Sequence, residues 1–364
     1  MSSYIHNLKK WPDFQWDEED LITLLSEVRN LQGKLMGKIE LLGFELQDEA
    51  NLETLIQDVV QSSEIEGEVL NPEQVRSSIA TRLGLENSGI EHSDRHIDGI
   101  VDMMLDATQN ESKKLTEERL FGWHSALFST GRSGMHKIKV GDWREGDMQV
   151  VSGGMGREII HYEAPKPSRL SMEMSEFIDW FNNFSEIDSI IKASIAHLWF
   201  LTIHPFDDGN GRIARAIADM QLSKSDGVNQ RFYSMSMQIK DKKKSYYTIL
   251  ERTQRGDLDI TDWIVWFLER LKEAIIDSNV IIDKVIRKHQ FWMRNAIKVG
   301  NDRQRLMLNK LIEGFEGNLT TSKWAKIAKT SQDSALRDIT DLVEKNILIK
   351  AGAGGRSTHY TLNW

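Results

Sequence analysis

The chain contains 364 residues, no cysteine and five prolines. The absence of cysteine excludes a disulfide framework and cysteine-ligated zinc, and it argues against a secreted scaffold. Scarce proline and abundant helix-forming residues predict a mainly α-helical protein. Uninterrupted apolar runs are all shorter than the roughly 18 residues that a membrane-spanning helix needs. Met1 to His6 lack a basic region followed by an apolar run, so we expect a cytoplasmic protein without a membrane anchor.

The formal net charge is -9 at pH 7. This charge argues against nonspecific nucleic-acid binding by the whole surface, although it leaves a local basic patch open. Tandem repeats and low-complexity segments are absent from the sequence. The length is sufficient for about two or three domains.

The most informative segment is His204 to Arg215, which reads His-Pro-Phe-Asp-Asp-Gly-Asn-Gly-Arg-Ile-Ala-Arg. Apolar residues at helical spacing on both sides predict a helix, a tight loop and a second helix. The loop is therefore expected at a helix N-terminus. Free amides and the positive end of the helix dipole at that position can hold a diphosphate or triphosphate.

The side chains of this segment suit such an anion. Arg212 and Arg215 are three residues apart on the second helix, so both can reach one phosphate group. Asp208 suits Mg²⁺, because a hard cation beside phosphates usually keeps one or two protein carboxylates. His204 is placed to accept a proton from an attacking hydroxyl. The structural alternative is a glycine turn with incidental charges.

The segment matches the pattern H-x-F-x-[D/E]-G-N-G-R-x-x-R at every fixed position, and here the chain resembles the Fic family of nucleotidyltransferases. The resemblance implies transfer of AMP from Mg-ATP to a Ser, Thr or Tyr hydroxyl of a protein, which includes the enzyme itself as a candidate. It implies that His204 is the base, Asp208 the magnesium ligand and Phe206 a core anchor. The implied phosphate-binding residues are Gly209, Asn210, Gly211, Arg212 and Arg215.

A second motif, Ser62-Ser63-Glu64-Ile65-Glu66-Gly67, is similar to the inhibitory pattern [S/T]-x-x-x-E-[G/N] of self-restrained Fic proteins. Ser62 and Glu66 share one side of a helix, and Gly67 suits the position after its C-terminal end. The resemblance implies that Glu66 pairs with Arg215 and places a negative charge where the γ-phosphate of ATP must lie. The alternative is a solvated helix end. Glu64 and Glu68 are expected to be solvated neighbours.

The segment from Asp147 to Pro165 contains two β-rich stretches around a glycine cluster and predicts a hairpin. A purely structural hairpin is one interpretation. The resemblance implies a flap that aligns the target chain by strand addition, with Val150 and Val151 at its edge. Trp143, just before the hairpin, is expected to be a packing anchor.

An amphipathic helix is predicted to begin at Ser245-Tyr246-Tyr247. The resemblance implies that Tyr247 and an amide side chain two turns later border the adenosine. Gln254 occupies that later position, where the family pattern has asparagine. Half-buried packing is the alternative for these residues.

We expect three regions along the chain. Residues 1–110 form an N-terminal helical region that carries the inhibitory helix, residues 111–280 form the Fic catalytic core with its small β-hairpin flap, and residues 281–364 form a linker helix and a winged helix-turn-helix domain. The last prediction depends on three helical patterns and a hairpin, namely Leu306–Ile312, Thr320–Ala328, Ser331–Glu344, and two strands around the turn Gly352-Ala353-Gly354-Gly355.

The predicted recognition helix of that domain is acidic, because Asp333, Asp338, Asp341 and Glu344 outnumber Arg337. Phosphates repel such a surface. Arg356 and His359 in the wing are left to contact a DNA backbone, and a protein-protein or homodimer contact is an equal alternative. Two other functions stay open: a nucleotide-sensing transcriptional regulator, and an enzyme that mainly removes AMP from proteins.

Overall fold

The computed structural model describes residues 4–85, 93–153, 159–228, 230–315, 317–351 and 358–364. The chain divides into two compact units, Met1–Ile281 and Ile282–Trp364. A limit near residue 110 between an N-terminal region and the Fic core stays a prediction. Within the described ranges, none of the helices combines the length and apolar character needed to cross a membrane.

The first unit is mainly helical, which confirms the predicted fold class. Its helices are α1 (Glu18–Glu40), α2 (Phe44–Ile65), α3 (Pro72–Leu83), α4 (Arg95–Gln109), α5 (Glu117–Leu127), α6 (Leu170–Asn183), α7 (Ser189–Ile203), α8 (Asn210–Asp226), α9 (Met235–Asp241) and α10 (Lys243–Gln254). Helix α11 (Thr261–Asn295) contains the limit between the two units. The strands of the first unit are β1 (Arg132–Ser133), β2 (His136–Lys137), β3 (Gln149–Ser152) and β4 (Ile159–Glu163).

The paired helices α7 and α8 form the centre of this unit. Every residue of α7 after Ser189 is buried, which agrees with a helix that is apolar on all sides. Its N-cap Asp188 accepts a hydrogen bond from the amide of Ile190 and so satisfies one free donor of the first turn. Trp263 of α11 packs against α7 and donates its indole hydrogen to the Ser194 carbonyl at 2.9 Å. The central pair thereby gives the loop between α7 and α8 a rigid support.

Buried polar contacts fix α2 against α8 and the segment after it. Asp58 of α2 accepts hydrogen bonds from the Ser234 hydroxyl and from the Ser236 amide. Asn51 of α2 accepts a 2.9 Å bond from the Arg231 amide. The Arg231 guanidinium lies 2.8 Å from Asp219 of α8. Buried charges and amides persist only when partnered, so these contacts specify how α2 lies against α8.

The hairpin predicted between Asp147 and Pro165 is present as an antiparallel pair of β3 and β4. Val150 faces Tyr162 and Val151 faces Ile160, with a β-bulge between these two pairs. The buried Tyr162 hydroxyl donates to the Thr202 carbonyl of α7 at 2.6 Å. The bond holds the hairpin close to the end of α7. Residues 154–158, in the middle of the predicted glycine cluster, lie outside the described residues.

The second unit contains α12 (Asp302–Gly314), α13 (Thr321–Ile327), α14 (Gln332–Glu344) and the antiparallel strands β5 (Leu348–Ala351) and β6 (His359–Leu362). Its core includes Met307, Leu308, Trp324, Ile339 and Leu342. Two of the acidic side chains of α14 have partners within the unit, because Asp338 pairs with Arg303 at 2.9 Å and Asp341 with Lys345 at 2.8 Å. The winged helix-turn-helix interpretation stays a prediction. The glycine turn at 352–355 and Arg356 lie outside the described residues.

The buried network makes a stability prediction. Arg231→Met removes the cation that lies between Asp219 and Asp226, so these buried carboxyl groups lose their ion-pair partner. Removing one partner of a buried pair typically costs about 3–5 kcal/mol. We expect a decrease of that size in the free energy of unfolding, measured by urea denaturation followed by tryptophan fluorescence. The control is Arg252→Met, since Arg252 forms an exposed pair with Asp262, and there we expect less than about 1 kcal/mol. Equal costs for the two variants would contradict the role of Arg231.

Candidate active site

The loop between α7 and α8 is shaped by left-handed backbone and by one amide side chain. His204 ends α7 with a φ of 51° and Gly209 precedes α8 with a φ of 81°. The Asn210 side chain accepts a hydrogen bond from the Phe206 amide at 3.0 Å and donates to the Phe206 carbonyl at 2.8 Å. Phosphate binding by Asn210 stays a prediction. Its amide group closes the loop, which leaves the backbone N–H of Asn210 for an anion.

Phe206 anchors this loop in the core, as the resemblance implied. Its ring is fully buried and stacks on His124 with a centroid distance of 4.2 Å. Trp143 packs against the same ring at 5.1 Å, which agrees with its predicted packing role. A β-carbon at Gly209 would come within 2.8 Å of the Phe128 ring, so this position needs glycine for space as well as for its positive φ.

His204 has the hydrogen bonding that a base requires. Its Nδ1 lies 3.2 Å from the Leu201 carbonyl oxygen, which can only accept, so Nδ1 carries the ring proton and Nε2 keeps its lone pair. Withdrawal from water lowers the pKa of His204 to about 4, although the Leu201 bond and the nearby carboxylates act in the opposite direction. Arg144 Nε donates to the His204 carbonyl at 2.8 Å and holds the residue in place. The imidazole is thus neutral at pH 7 and can accept a proton at Nε2.

The two adjacent aspartates of the loop have different surroundings. Asp207 accepts a 2.9 Å bond from the Lys139 amide and shapes the loop. Asp208 accepts a 2.6 Å bond from the Gly209 amide and a bond from the Ser133 hydroxyl, and it lines an open cavity. No group of three or more metal-ligating side chains occurs within the described ranges. A single carboxylate beside a phosphate-sized space fits Mg²⁺, which takes its other ligands from phosphate oxygens and water.

Arg215 is held by the end of α2. Its Nε donates to the Ser62 hydroxyl at 2.9 Å, and its Nη2 donates to the Ser62 carbonyl at 3.0 Å and to Glu66 Oε1 at 2.8 Å. The arginine is 2% exposed, and its Nη1 has no hydrogen-bond partner among the described residues. The structure therefore brings Arg215 to Ser62 and Glu66, which lie 153 and 149 positions before it in the sequence.

The carboxylate of Glu66 lies at the N-terminal end of α8. A β-carbon at Gly211 would collide with Glu66 Oε1, so the glycine makes room for the carboxylate against the first turn of that helix. Gly67 has a φ of 85° and follows the cap residue Glu66, as expected for a helix that ends in a left-handed residue. An anion at a helix N-terminus is stabilised by free amides and by the helix dipole. Glu66 occupies such an anion position.

Arg212, the first arginine of the motif, contacts a different carboxylate. Its Nη1 lies 3.1 Å from Glu68 Oε2, and its guanidinium lies over the Phe128 ring at 5.1 Å. Glu68 also contacts His96 at the start of α4. The expectation that Glu68 is a solvated neighbour was wrong, because two basic side chains bind it. Glu64 contacts Lys240 at 3.4 Å and is 39% exposed.

A cavity of about 450 Å³ adjoins these groups, within the usual size range of small-molecule sites. It is lined by Glu66, Gly67, Glu68, His96, Leu127, Phe128, Ser129, Thr130, Arg132, Ser133, Gly134, Asp208 and Arg212. The Nε of Arg212 is buried and has no hydrogen-bond partner within the described ranges. The cavity thus places the buried guanidinium of Arg212 near Asp208, a carboxylate suited to a metal, together with the carboxylates of Glu66 and Glu68. An arginine and a metal-binding carboxylate are groups that a polyphosphate site uses.

The two residues predicted near adenosine both lie on α10, and they differ in burial. Gln254 is buried, and its Nε2 is 3.4 Å from the Thr202 hydroxyl. Tyr247 is 41% exposed, and partial withdrawal from water together with Glu66 raises its pKa to about 12. Tyr246 is the buried tyrosine of the pair and shares a 2.8 Å hydrogen bond with His197. The contacts of Tyr247 and Gln254 with adenosine stay predictions.

The predicted docking edge has one accessible valine. Val151 is 48% exposed, whereas Val150 packs against the cluster of Tyr4, Tyr162 and Ala164. Arg255 donates to the carbonyls of Ile160 and His161 in β4 at 2.6 and 2.9 Å. These bonds occupy part of the β4 backbone, so β3 is the better edge for an added strand.

Comparisons with known proteins agree with this geometry. Residues 114–222 match the Fic/DOC family, so the chain contains a Fic/DOC domain, and residues 4–85 match a domain of unknown function, DUF4172. The protein adenylyltransferase Fic of Drosophila willistoni is 26% identical over 212 residues, which cover 57% of this chain and 39% of that protein. The chain therefore spans about two fifths of the curated relatives it matches.

Solved structures share the fold. A Fic family protein from Desulfovibrio desulfuricans G20 has a TM-score of 0.53 at 20% identity. The matched region covers 95% of this chain and 97% of that protein's chain. A Fic domain containing signaling protein from Bacteroides thetaiotaomicron has a TM-score of 0.51 at 21% identity. The matched region covers 74% of this chain and 97% of that protein's chain.

The surroundings of His204 make a pH prediction. Because burial lowers its pKa, the imidazole is expected to stay neutral until the pH falls toward about 4, well below the ordinary midpoint of about 6.5. Histidine nitrogen chemical shifts in the nucleotide-free protein measure this directly, with His204→Ala to assign the signal. A midpoint between about 6 and 7 would contradict the proposed burial of the base.

Proposed function

We propose that this protein transfers AMP from Mg-ATP to a Ser, Thr or Tyr hydroxyl of a protein and that Glu66 holds it in a self-inhibited state. The observation that carries the proposal is the binding of Arg215 by Glu66 and Ser62 at the N-terminus of α8, beside a cavity that Arg212 and Asp208 line. The Fic/DOC domain and the similarity to adenylyltransferases support the class of reaction.

The loop and the start of α8 contain a group for each part of the proposed reaction: phosphate binding, magnesium binding and proton transfer. The first turn of α8 would bind the phosphates through its free amides, and Arg212 and Arg215 would bind the outer phosphates. Asp208 would hold Mg²⁺, which neutralises charge on the phosphates when bound. The lone pair on His204 Nε2 would accept the proton of the target hydroxyl as its oxygen bonds to the α-phosphorus and pyrophosphate departs.

Self-inhibition follows from the position of Glu66. Its carboxylate uses the same helix end and the same arginine that the γ-phosphate needs. Two negative groups cannot share that place without strong repulsion, so productive ATP binding would require Glu66 to leave. Ser62 keeps Arg215 aimed at the inhibitory glutamate through two hydrogen bonds.

The hairpin would select and align the target. An extended segment of the target protein can add to β3 beside Val151, since main-chain bonds of an added strand fix its register. The bond between Tyr162 and Thr202 ties this hairpin to the end of α7, where His204 lies. The hydroxyl of an aligned segment would thereby be brought to the base.

The most direct test of the base is His204→Ala in a Glu66→Gly background, where inhibition is removed. Because a positioned base typically contributes about 10² to 10⁴ in rate, we expect a decrease of that size in AMP transfer, measured with labelled ATP and cell lysate. Affinity for ATP should stay within about twofold, since His204 acts on the incoming hydroxyl. Transfer at the unchanged rate would remove His204 from its role.

The metal assignment is tested with Asp208→Ala. We expect loss of transfer together with loss of its dependence on magnesium concentration, because Asp208 is the acidic side chain at the cavity wall nearest the loop. Asp207→Asn is the matched control, since Asp207 binds the Lys139 amide and shapes the loop. A normal magnesium titration in Asp208→Ala would contradict the assignment.

The inhibitory role of Glu66 is tested by a double-mutant cycle of substitutions at Glu66 and Arg215. Glu66→Gly should raise AMP transfer by about tenfold or more, because it frees the arginine and removes a charge from the phosphate site. Arg215→Ala should not be activated, and the double variant should behave like Arg215→Ala, since Glu66 then has nothing to sequester. Glu64→Gln is the control at the same helix end. Unchanged transfer in Glu66→Gly would show that residues 62–67 are an ordinary helix end.

A further inference from the structure

We propose that Glu68 is a second inhibitory carboxylate. In this arrangement Glu68 binds Arg212 while Glu66 binds Arg215, and His96 holds Glu68 in position. The proposal rests on the phosphate-binding role proposed for Arg212. Its central observation is the 3.1 Å contact between Arg212 Nη1 and Glu68 Oε2. Both arginines of the loop motif are thus paired with carboxylates from the same helix end.

The backbone explains why both carboxylates reach the arginines. The Glu68 amide donates to the Ser63 carbonyl and the Gly67 amide donates to the Glu64 carbonyl, each at 3.0 Å, which is the bonding of a Schellman cap. The left-handed Gly67 lies between the two glutamates and reverses the chain. The cap therefore sends Glu66 and Glu68 toward α8, whereas Glu64 contacts Lys240.

Glu68 is held from two sides. Its Oε1 contacts His96 in the first turn of α4, and its Oε2 contacts Arg212 in the first turn of α8. The bond to His96 lowers the pKa of Glu68, and the same bond raises the pKa of His96. Asp94, two residues before His96, further favours its protonated form. A carboxylate held by an arginine and a histidine is a direct competitor of a phosphate for Arg212.

The remaining contacts of Arg212 leave it ready to bind an anion. Phe128 supports the guanidinium at 5.1 Å, and the buried Nε has no hydrogen-bond partner within the described ranges. Glu68 and Arg212 both line the 450 Å³ cavity. Release of Glu66 alone would consequently leave Arg212, which lines the cavity, still paired with a carboxylate. Full nucleotide affinity requires release of both carboxylates.

The test measures affinity for α,β-methylene ATP by titration calorimetry with magnesium. In this analogue a carbon replaces the oxygen between the α- and β-phosphorus atoms, so the bond that AMP transfer breaks is absent. Glu68→Gln is added to Glu66→Gly, and Glu64→Gln added to the same background controls for loss of one negative charge. We expect Kd to fall by about three- to tenfold with Glu68→Gln, because a half-exposed pair is weakened by solvent. Glu64→Gln should change Kd by less than about twofold.

His96→Gln in the Glu66→Gly background should lower Kd by a smaller factor. His96→Gln should not change Kd further in a protein that already carries Glu68→Gln, because the proposal has His96 act through Glu68. Glu68→Ser repeats the test without an amide that could still bridge the two basic groups. Unfolding temperatures within a few degrees of the background would show that each variant is folded.

Two outcomes overturn the proposal. A Kd in Glu68→Gln and Glu68→Ser equal to that of the Glu64→Gln control would show that Glu68 does not compete with the nucleotide. A higher Kd would show that Glu68 instead orients Arg212 for binding. AMP transfer by Glu66→Gly is a separate measurement, so failure of the proposed function and failure of the Glu68 assignment are distinguished.

Discussion

The ion pair between Glu66 and Arg215 is the interaction on which the site depends. A carboxylate 2.8 Å from a 2% exposed guanidinium satisfies a buried cation that would otherwise lie uncompensated in the core. The same contact places a negative charge against the first turn of α8, where a phosphate would be stabilised by amides and dipole. In the proposed function, stability of the resting state and exclusion of ATP would therefore have one physical origin. Anything that releases Glu66 must supply another anion to Arg215, and the γ-phosphate is chemically suited to do so.

The position of that carboxylate is set by packing at a distance from it. Helix α2 is fixed against α8 and the following segment because its residues Asp58 and Asn51, both before Glu66, bind the segment that contains the buried Arg231. The hairpin is tied to the other helix of the central pair through Tyr162. The proposed inhibitory carboxylate and the proposed docking edge thus approach the same loop from two separately anchored elements.

Much of this architecture could be predicted from the sequence because its signals are local. The apolar spacing around 204–215 predicted the two helices, and Ser62, Glu66 and Gly67 fitted a helix end that faces a partner. What the sequence did not predict depends on tertiary contacts. The Asn210 side chain bonds to the Phe206 backbone, a contact that periodicity does not reveal. Glu68 was expected in solvent because its partners, His96 and Arg212, come from α4 and α8, 28 and 144 positions away.

The central claim is that Glu66 takes the place of the terminal phosphate, and the ratio of ATP to ADP affinity measures this most directly. Titration calorimetry with each nucleotide and magnesium, on the wild-type protein and on Glu66→Gly, gives the four dissociation constants. The account predicts that the substitution tightens ATP binding by about tenfold or more while ADP binding changes much less, because ADP lacks the group that competes with Glu66. Equal effects on ATP and ADP, or no effect on either, would contradict it.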